Sequence, residues 1–246
     1  MKIKNQNCFE FLKEVKKDSV DLVIIDPPYF NKGTKPKYTR KGKKAVKTYF
    51  GEWDIFKTDK EYLVFINNMI GECNRVLKEG GSIYIFCNDR YNSYLRHMLK
   101  NLGMEFKATI VWHKYNSPPR FIMEAGFISS KELILFAHKE GKPTFNKPKE
   151  FKEMLDFWIT TQTPAKERTG HPTQKPLSLI RKIIEVSSNK NDLIMDCFLG
   201  SGTTAVACKQ LGRDFIGCDV EKEYIDISNK RLAQEVLTFT NNKSSL

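Results

Sequence analysis

Short apolar runs alternate with amphipathic stretches along this chain. The alternation predicts an α/β sheet with helices on both faces. Strands are expected at Val20–Ile25, Ser82–Cys87, Thr109–Trp112, Glu132–Ala137, Leu193–Asp196 and Asp214–Cys218, with Lys2–Lys4 as a further strand. These runs are short and rich in Val, Ile and Phe, as strands covered on both faces tend to be. A helix is expected near Cys8–Lys17. Thr58-Asp-Lys-Glu61 has the form of a capping box. It opens a segment with Leu63, Ile66, Met69, Ile70, Cys73 and Leu77 at helical spacing, which Gly80-Gly81 is predicted to close. Further helices are predicted over Tyr91–Leu102, Leu177–Ser187 led by Pro176, Thr203–Leu211 and Glu221–Val236. The polar tail Thr240–Leu246 is expected to fray. Asn31–Gly51 and Lys139–Gly170 break the rhythm and read as surface insertions on the sheet.

Composition narrows this picture. The 246 residues, with no internal repeat or dividing linker, suit a single domain spanning 1–246. At 40% apolar the chain is not a disordered polycation. Its longest clear apolar runs, Leu22–Ile25 and Leu133–Ala137, fall far short of the ~18 residues of a membrane span. The opening MKIKNQNCFEFL has no signal-peptide core, so the expected location is cytoplasmic or nuclear. Lys+Arg number 41 against 29 Asp+Glu, a net charge of +12 that suggests a polyanionic partner, although a basic proteome background produces the same excess. The six cysteines form no CxxC and the four histidines no HExxH, so metal chemistry has no support and buried reduced thiols are expected.

Three motifs carry candidate chemistry. Asp26-Pro27-Pro28-Tyr29 directly follows the strand VDLVII. Ligands of α/β sheets bind at the C-terminal ends of strands. The two prolines fix the backbone, remove two amide donors and leave carbonyls free to accept. Asp26 adds an anionic acceptor and Tyr29 a flat face, a set that suits a planar NH2 group. The plain alternative is a strand-ending turn with an Asp cap. The second motif, Asp196-Cys-Phe-Leu-Gly200-Ser-Gly202-Thr-Thr204, is again strand, turn, helix, with glycines for a tight turn and close ligand approach. Its spacing differs from GxGxxG and from the phosphate-binding GxxxxGK[ST]. The next strand ends at Asp219, 17 residues after Gly202, near the ~20-residue spacing at which an acid meets ribose hydroxyls. Together these point to a nucleoside cofactor. The third motif, His171-Pro-Thr-Gln-Lys-Pro176, enters a helix. Its amides and Lys175 suit a carboxylate, and a plain helix start is the simpler reading.

As a set, the residues resemble the beta class of S-adenosylmethionine-dependent DNA amino-methyltransferases of restriction–modification systems, and within it modification enzymes of the MboII type. The shared stretches are NCF-FL, IDPPY, SSN-NDL, DCF-GSGTT and LGR-FIGCD. The catalytic tetrapeptide precedes the cofactor turn, which is the permuted order of that class.

The resemblance implies a Rossmann-like methyltransferase fold, a mixed seven-stranded sheet flanked by helices, with an antiparallel strand from Glu132–Ala137. It also implies S-adenosylmethionine as cofactor. Phe198, Gly200, Ser201, Gly202 and Thr203 would line the cofactor turn, and Asp26 and Asp196 would lie near the methionine end. Asp219 would bind ribose with Glu221 beside it, and Asn7 and Cys8 would meet the cofactor adenine. Thr173, Gln174 and Lys175 would approach the methionine carboxylate. Asp26, Pro27, Pro28 and Tyr29 would act on an exocyclic amine of a flipped base. Adenine N6 is the implied acceptor. The alternatives are cytosine N4, an RNA or protein substrate, or an inactive DNA-binding subunit.

Duplex DNA gives the charge an address. Eight basic residues and no acid lie in Asn31–Gly51, just after the tetrapeptide. Lys35, Lys37, Arg40, Lys41, Lys43 and Lys44 are therefore candidate phosphate contacts, against the ordinary reading of a lysine run as a solvated face. Segment 139–170 is short for a target-recognition region. Within it Arg168 and Gln162 are candidate base contacts, while Trp158 reads slightly better as core. Lys114–Arg120 is a further candidate. A second copy of the chain and a cognate restriction endonuclease are expected partners, and association with the nucleoid of a prokaryote follows from the same reading.

Overall fold

The structure, a computed structural model, describes residues 1–30, 56–115, 129–161, 163–169 and 173–241. Its strands are β1 (Lys2–Asn5), β2 (Val20–Ile25), β3 (Leu77–Cys87), β4 (Glu105–Lys114), β5 (Lys131–His138), β6 (Phe157–Thr160), β7 (Leu193–Asp196) and β8 (Asp214–Asp219). Its helices are α1 (Cys8–Glu14), α2 (Asp59–Val76), α3 (Asn92–Asn101), α4 (Leu177–Ser187), α5 (Thr203–Leu211) and α6 (Lys222–Asn241).

The strands form one sheet in the order β1-β8-β7-β2-β3-β5-β4-β6. β5 runs antiparallel to both neighbours, β3 and β4, and the other pairings are parallel. Side-chain alternation divides the core in two. Val23 and Ile25 of β2 face a layer containing α1, α2 and α3, while Leu22 and Ile24 face α4, α5 and the start of α6. This is the period of two expected of a strand covered on both faces.

Seven strands are expected, and the described residues form eight. The extra strand, β6, lies inside the segment expected to be a surface insertion. It pairs with β4 from Val111↔Phe157 to Lys114↔Thr160. Trp158 anchors it, buried in the core with Nε1 donating to Leu155 O at 2.8 Å. The second correction concerns Gly80-Gly81. α2 stops at Val76 and the chain turns directly into β3, which contains both glycines. Gly80 has a φ of 71°, and a β-carbon there would lie 2.3 Å from Lys142 O. The glycine thus admits a crossing backbone within the strand and ends no helix. The capping box forms in modified shape: Thr58 accepts from Glu61 N, and the Glu61 carboxylate accepts from Lys57 N. Pro176 precedes α4 as its cap residue, and α6 continues five residues past Val236.

Candidate active site

The winding reverses between β2 and β7. From β2 the sheet grows through β3, and from β7 it grows the other way through β8 to β1. A crevice opens where the loops after two such strands part, and ligands of α/β sheets bind there. Asp26–Tyr29 leaves β2 and Cys197–Gly202 leaves β7 on the two sides of this crevice.

Asp26 is engaged on both carboxylate oxygens. Tyr29 Oη donates to Oδ1 at 2.8 Å, and Lys175 Nζ donates to Oδ2. Asn88 Nδ2 donates to Tyr29 O at 3.1 Å and fixes the end of the tetrapeptide. Sequence reasoning missed Glu132. Its Oε2 lies 3.3 Å from Tyr29 Oη and 3.5 Å from Lys175 Nζ, and its Oε1 accepts from Lys114 Nζ at 2.7 Å. The signal lay in topology. An antiparallel strand begins where its neighbours end, so an acid at its second position arrives at the ligand edge. Burial pushes the Asp26 carboxyl above its ordinary range, with Lys175 opposing and Glu132 adding to the rise. Burial acts to lower Lys175, but Asp26 and Glu132 hold its ammonium above the usual value. Glu132 is held low despite burial by Lys175 and Lys114.

Beside this corner lies a cleft of about 330 Å³. Asn7, Cys8, Asp26, Pro28, Thr173 and Phe198 line it, as do Gly200, Asp219 and Glu221. Phe65 and Tyr224 also line it and were not singled out from sequence. An adjoining pocket of about 40 Å³ is bordered by Gln174, Lys175, Asp196, Ser201 and Thr203. Gly200 and Gly202 take φ of 51° and 80°, conformations natural to glycine. Asp219 accepts from Gly200 N at 2.7 Å and Glu221 N at 2.9 Å, tying the turn after β7 to the end of β8. Burial raises its carboxyl, against the pull of those amides. Asp196 is pushed up to about 7 by burial, although Thr204 Oγ1 and Phe198 N donate to it at 2.7 and 3.0 Å. Arg231 Nη1 donates to Ser201 O at 2.7 Å and Thr203 Oγ1 at 3.1 Å, bracing the turn from α6. Asn7 caps α1, accepting from Phe9 N at 2.9 Å.

The third motif is built differently from its expected use. The first amide of α4, Leu177 N, donates to Glu167 Oε2 at 3.1 Å, so the chain's own carboxylate takes that donor. Gln174 joins Glu167 O and Thr169, and Arg168 Nε donates to Thr163 O at 3.0 Å. Lys35, Lys37, Arg40, Lys41, Lys43 and Lys44 lie outside the described residues, as do Gln162, His171 and the part of Lys114–Arg120 beyond Tyr115. All six cysteines are free and buried. Cys8, on the cleft wall, is pushed up to about 12 by burial, so it is a thiol and no nucleophile. Among the described residues no group of His, Cys, Asp or Glu could hold a metal ion, and no helix is long and apolar enough to cross a membrane.

This arrangement defines a cleft of about 330 Å³ with the Asp26 carboxylate in its wall. The family described as DNA methylase (N6_N4_Mtase) matches residues 20–230, and the chain belongs to that family. Type II methyltransferase M2.DpnII of Streptococcus pneumoniae is 36% identical over 94% of this chain and 89% of its own length. Type II methyltransferase M1.MboII of Moraxella bovis is 34% identical over 95% and 96%. The crystal structure of the M1.HpyAVI–SAM complex superimposes with a TM-score of 0.74 at 33% identity, covering 94% of this chain and 98% of that one. PvuII DNA methyltransferase (cytosine-N4-specific), at 18% identity and a TM-score of 0.72, shares the fold.

Proposed function

We propose that this DNA methyltransferase transfers a methyl group from S-adenosylmethionine to N6 of adenine in duplex DNA. The observation that carries the reading is the convergence of Asp26, Gly200 and Asp219 on one cleft. A volume of about 330 Å³ is within the range of small-ligand sites. The donor set fits the cofactor: a carboxylate at a strand end for ribose hydroxyls, a glycine turn for close approach, and acids for the cationic methionine end. Asp219 and Glu221 would hold the ribose, with Asn7, Cys8 and Tyr224 around the adenine. Asp196 would face the methionine end, with Thr173, Gln174 and Lys175 along the adjoining pocket.

Bound S-adenosylmethionine supplies an electrophilic methyl group on a sulfonium. The protein prepares the acceptor. A nucleobase amine is a poor nucleophile because its lone pair is delocalised into the ring. Asp26 and the Pro27 carbonyl, accepting its two hydrogens, favour a pyramidal nitrogen with a localised pair. The target is unreachable in a stacked duplex, so the base flips out and Tyr29 supplies its stacking face. Positioning and fixed charge provide most of the acceleration. DNA backbone contacts are assigned to Lys35, Lys37, Arg40, Lys41, Lys43 and Lys44, and a base contact to Arg168. The bacterial relatives favour a cytoplasmic enzyme working at the nucleoid, with a cognate endonuclease and a second copy of the chain as further partners.

The test is mass spectrometry of nucleosides from DNA treated with the protein and labelled cofactor, followed by methylation-sensitive long-read sequencing. N6-methyladenine at one short sequence is the expected result. N4-methylcytosine would move the acceptor to cytosine, and label on RNA or protein alone would overturn the reading.

A further inference from the structure

Asp26 stands in a half-buried group of four charges. Two are acids, Asp26 and Glu132, and two are cations, Lys175 and Lys114. Lys175 is 9% exposed and touches both acids. Glu132 sits at the second position of β5 and reaches three partners: Lys114, Lys175 and the Tyr29 hydroxyl. It therefore contacts both groups that donate to Asp26.

This geometry has a consequence for amine binding, and it rests on the function proposed above. Asp26 must accept a hydrogen from the target amine, yet the ammonium of Lys175 already lies on Oδ2. Glu132 gives that ammonium a second anionic partner and divides its pull. Without it, the cation would be committed to the oxygen that the amine needs. We propose that Glu132 is a positioning residue for methyl transfer, sharing the Lys175 ammonium and the Tyr29 hydroxyl with Asp26 so that these donors can yield the Asp26 carboxylate to the target amine. It touches neither substrate and acts through Lys175 and Tyr29.

A purely structural ion pair makes a different forecast, so two variants separate the readings. Glu132→Gln removes one charge and leaves the group net positive. Glu132→Gln with Lys114→Gln restores neutrality, so the group is relieved of its excess positive charge while Lys175 still lacks its second anion. The groups facing Asp26 are Lys175 before α4, Glu132 of β5, Tyr29, Cys87 of β3 and Asp196 of β7, with Lys114 of β4 acting through Glu132. Glu132 is one of the charges that raise Asp26. Its neutralisation therefore moves the acidic limb of kcat to lower pH. In both variants kcat is expected to fall by about 10²-fold, the scale of a misplaced catalytic group. KM for the cofactor is expected to stay near the wild-type value. A double variant that recovers wild-type kcat overturns the proposal, as does a folded single variant within threefold of wild type with an unmoved limb. Should the single variant fail to fold, the double variant decides. A wild-type chain that methylates no base overturns both this and the function proposed, whereas an active wild type with indifferent variants overturns this inference alone.

Discussion

Gly202 and Ser228 are packed so closely that a β-carbon on Gly202 would lie 2.6 Å from Ser228 Oγ. The same hydroxyl donates to Gly200 O at 3.0 Å. The glycine turn is therefore clamped from α6, and Gly202 keeps a left-handed φ of 80°. Gly202→Ala meets both obstacles, and overpacking of this kind costs about 1–3 kcal/mol. A lower melting temperature together with weaker cofactor binding by calorimetry is expected. Wild-type affinity in the variant would show that the clamp does not shape the cleft.

Asp219 bonds two backbone amides and borders the cleft. In Asp219→Ala those amides lose a charged acceptor, and a ribose hydroxyl would lose its partner. Hydrogen bonds to charged groups contribute about 1.5–3 kcal/mol each. Cofactor affinity is expected to drop by at least about tenfold, which corresponds to one such bond. DNA affinity measured without cofactor should be unchanged.

Asp26→Ala removes the acceptor and keeps the glycine turn. Methyl transfer is expected to fall by about 10²–10⁴-fold, the range of proton-handling side chains. Cofactor binding should largely persist. Residual transfer within a few fold of wild type, measured with labelled cofactor, would remove Asp26 from the mechanism.

Asp196 gives a pH dependence. Burial raises its folded value to about 7, above the ordinary 3.8. The folded state then holds a proton that the unfolded state has released, so this residue's contribution to stability is present at low pH and is lost as pH rises from about 4 to 7. The slope for one proton is at most about 1.4 kcal/mol per pH unit. Asp196→Asn should flatten that part of a stability–pH curve. Cofactor binding runs the other way. A cationic methionine end favours the ionised carboxylate, so affinity should weaken as pH falls below 7, and the Asn variant should lose that dependence in calorimetry.

The basic segment makes its own forecast from sequence alone. Replacing Lys41, Lys43 and Lys44 by Gln should reduce the slope of log DNA affinity against log salt by about 0.9 for each phosphate that is no longer neutralised. An unchanged slope would return the segment to the ordinary role of a solvated face.

Much of the fold was legible because fully buried strands are written locally. Val20–Ile25 and Leu193–Asp196 coincide with β2 and β7. β6 was not legible, because a four-residue edge strand has one buried anchor, Trp158, and its outward Phe157 and Ile159 give no contrast with a loop. At the site, Asp26, Gly200 and Asp219 were marked by their place at strand ends. Glu132 and Arg231 were hidden because nothing nearby in sequence identifies them. Their roles depend on which strand runs backwards and on where α6 packs. Lys175 was read as a free cation for a ligand. The structure gives it two acids, Asp26 and Glu132, that lie 149 and 43 positions away along the chain.

Among the described residues the edge strand β1 pairs with β8 alone, Lys2 facing Ile216 and Asn5 facing Asp219. On the ribosome, β1 therefore waits for a segment more than two hundred residues later before it gains that partner. β2 likewise waits for β7, its neighbour across the crevice. Contacts this distant in sequence form slowly. Asp26 emerges early, but the cleft it serves is completed only when β7 and β8 have been made and docked. A partly synthesised chain thus carries the Asp26–Tyr29 tetrapeptide without the rest of the cleft it borders.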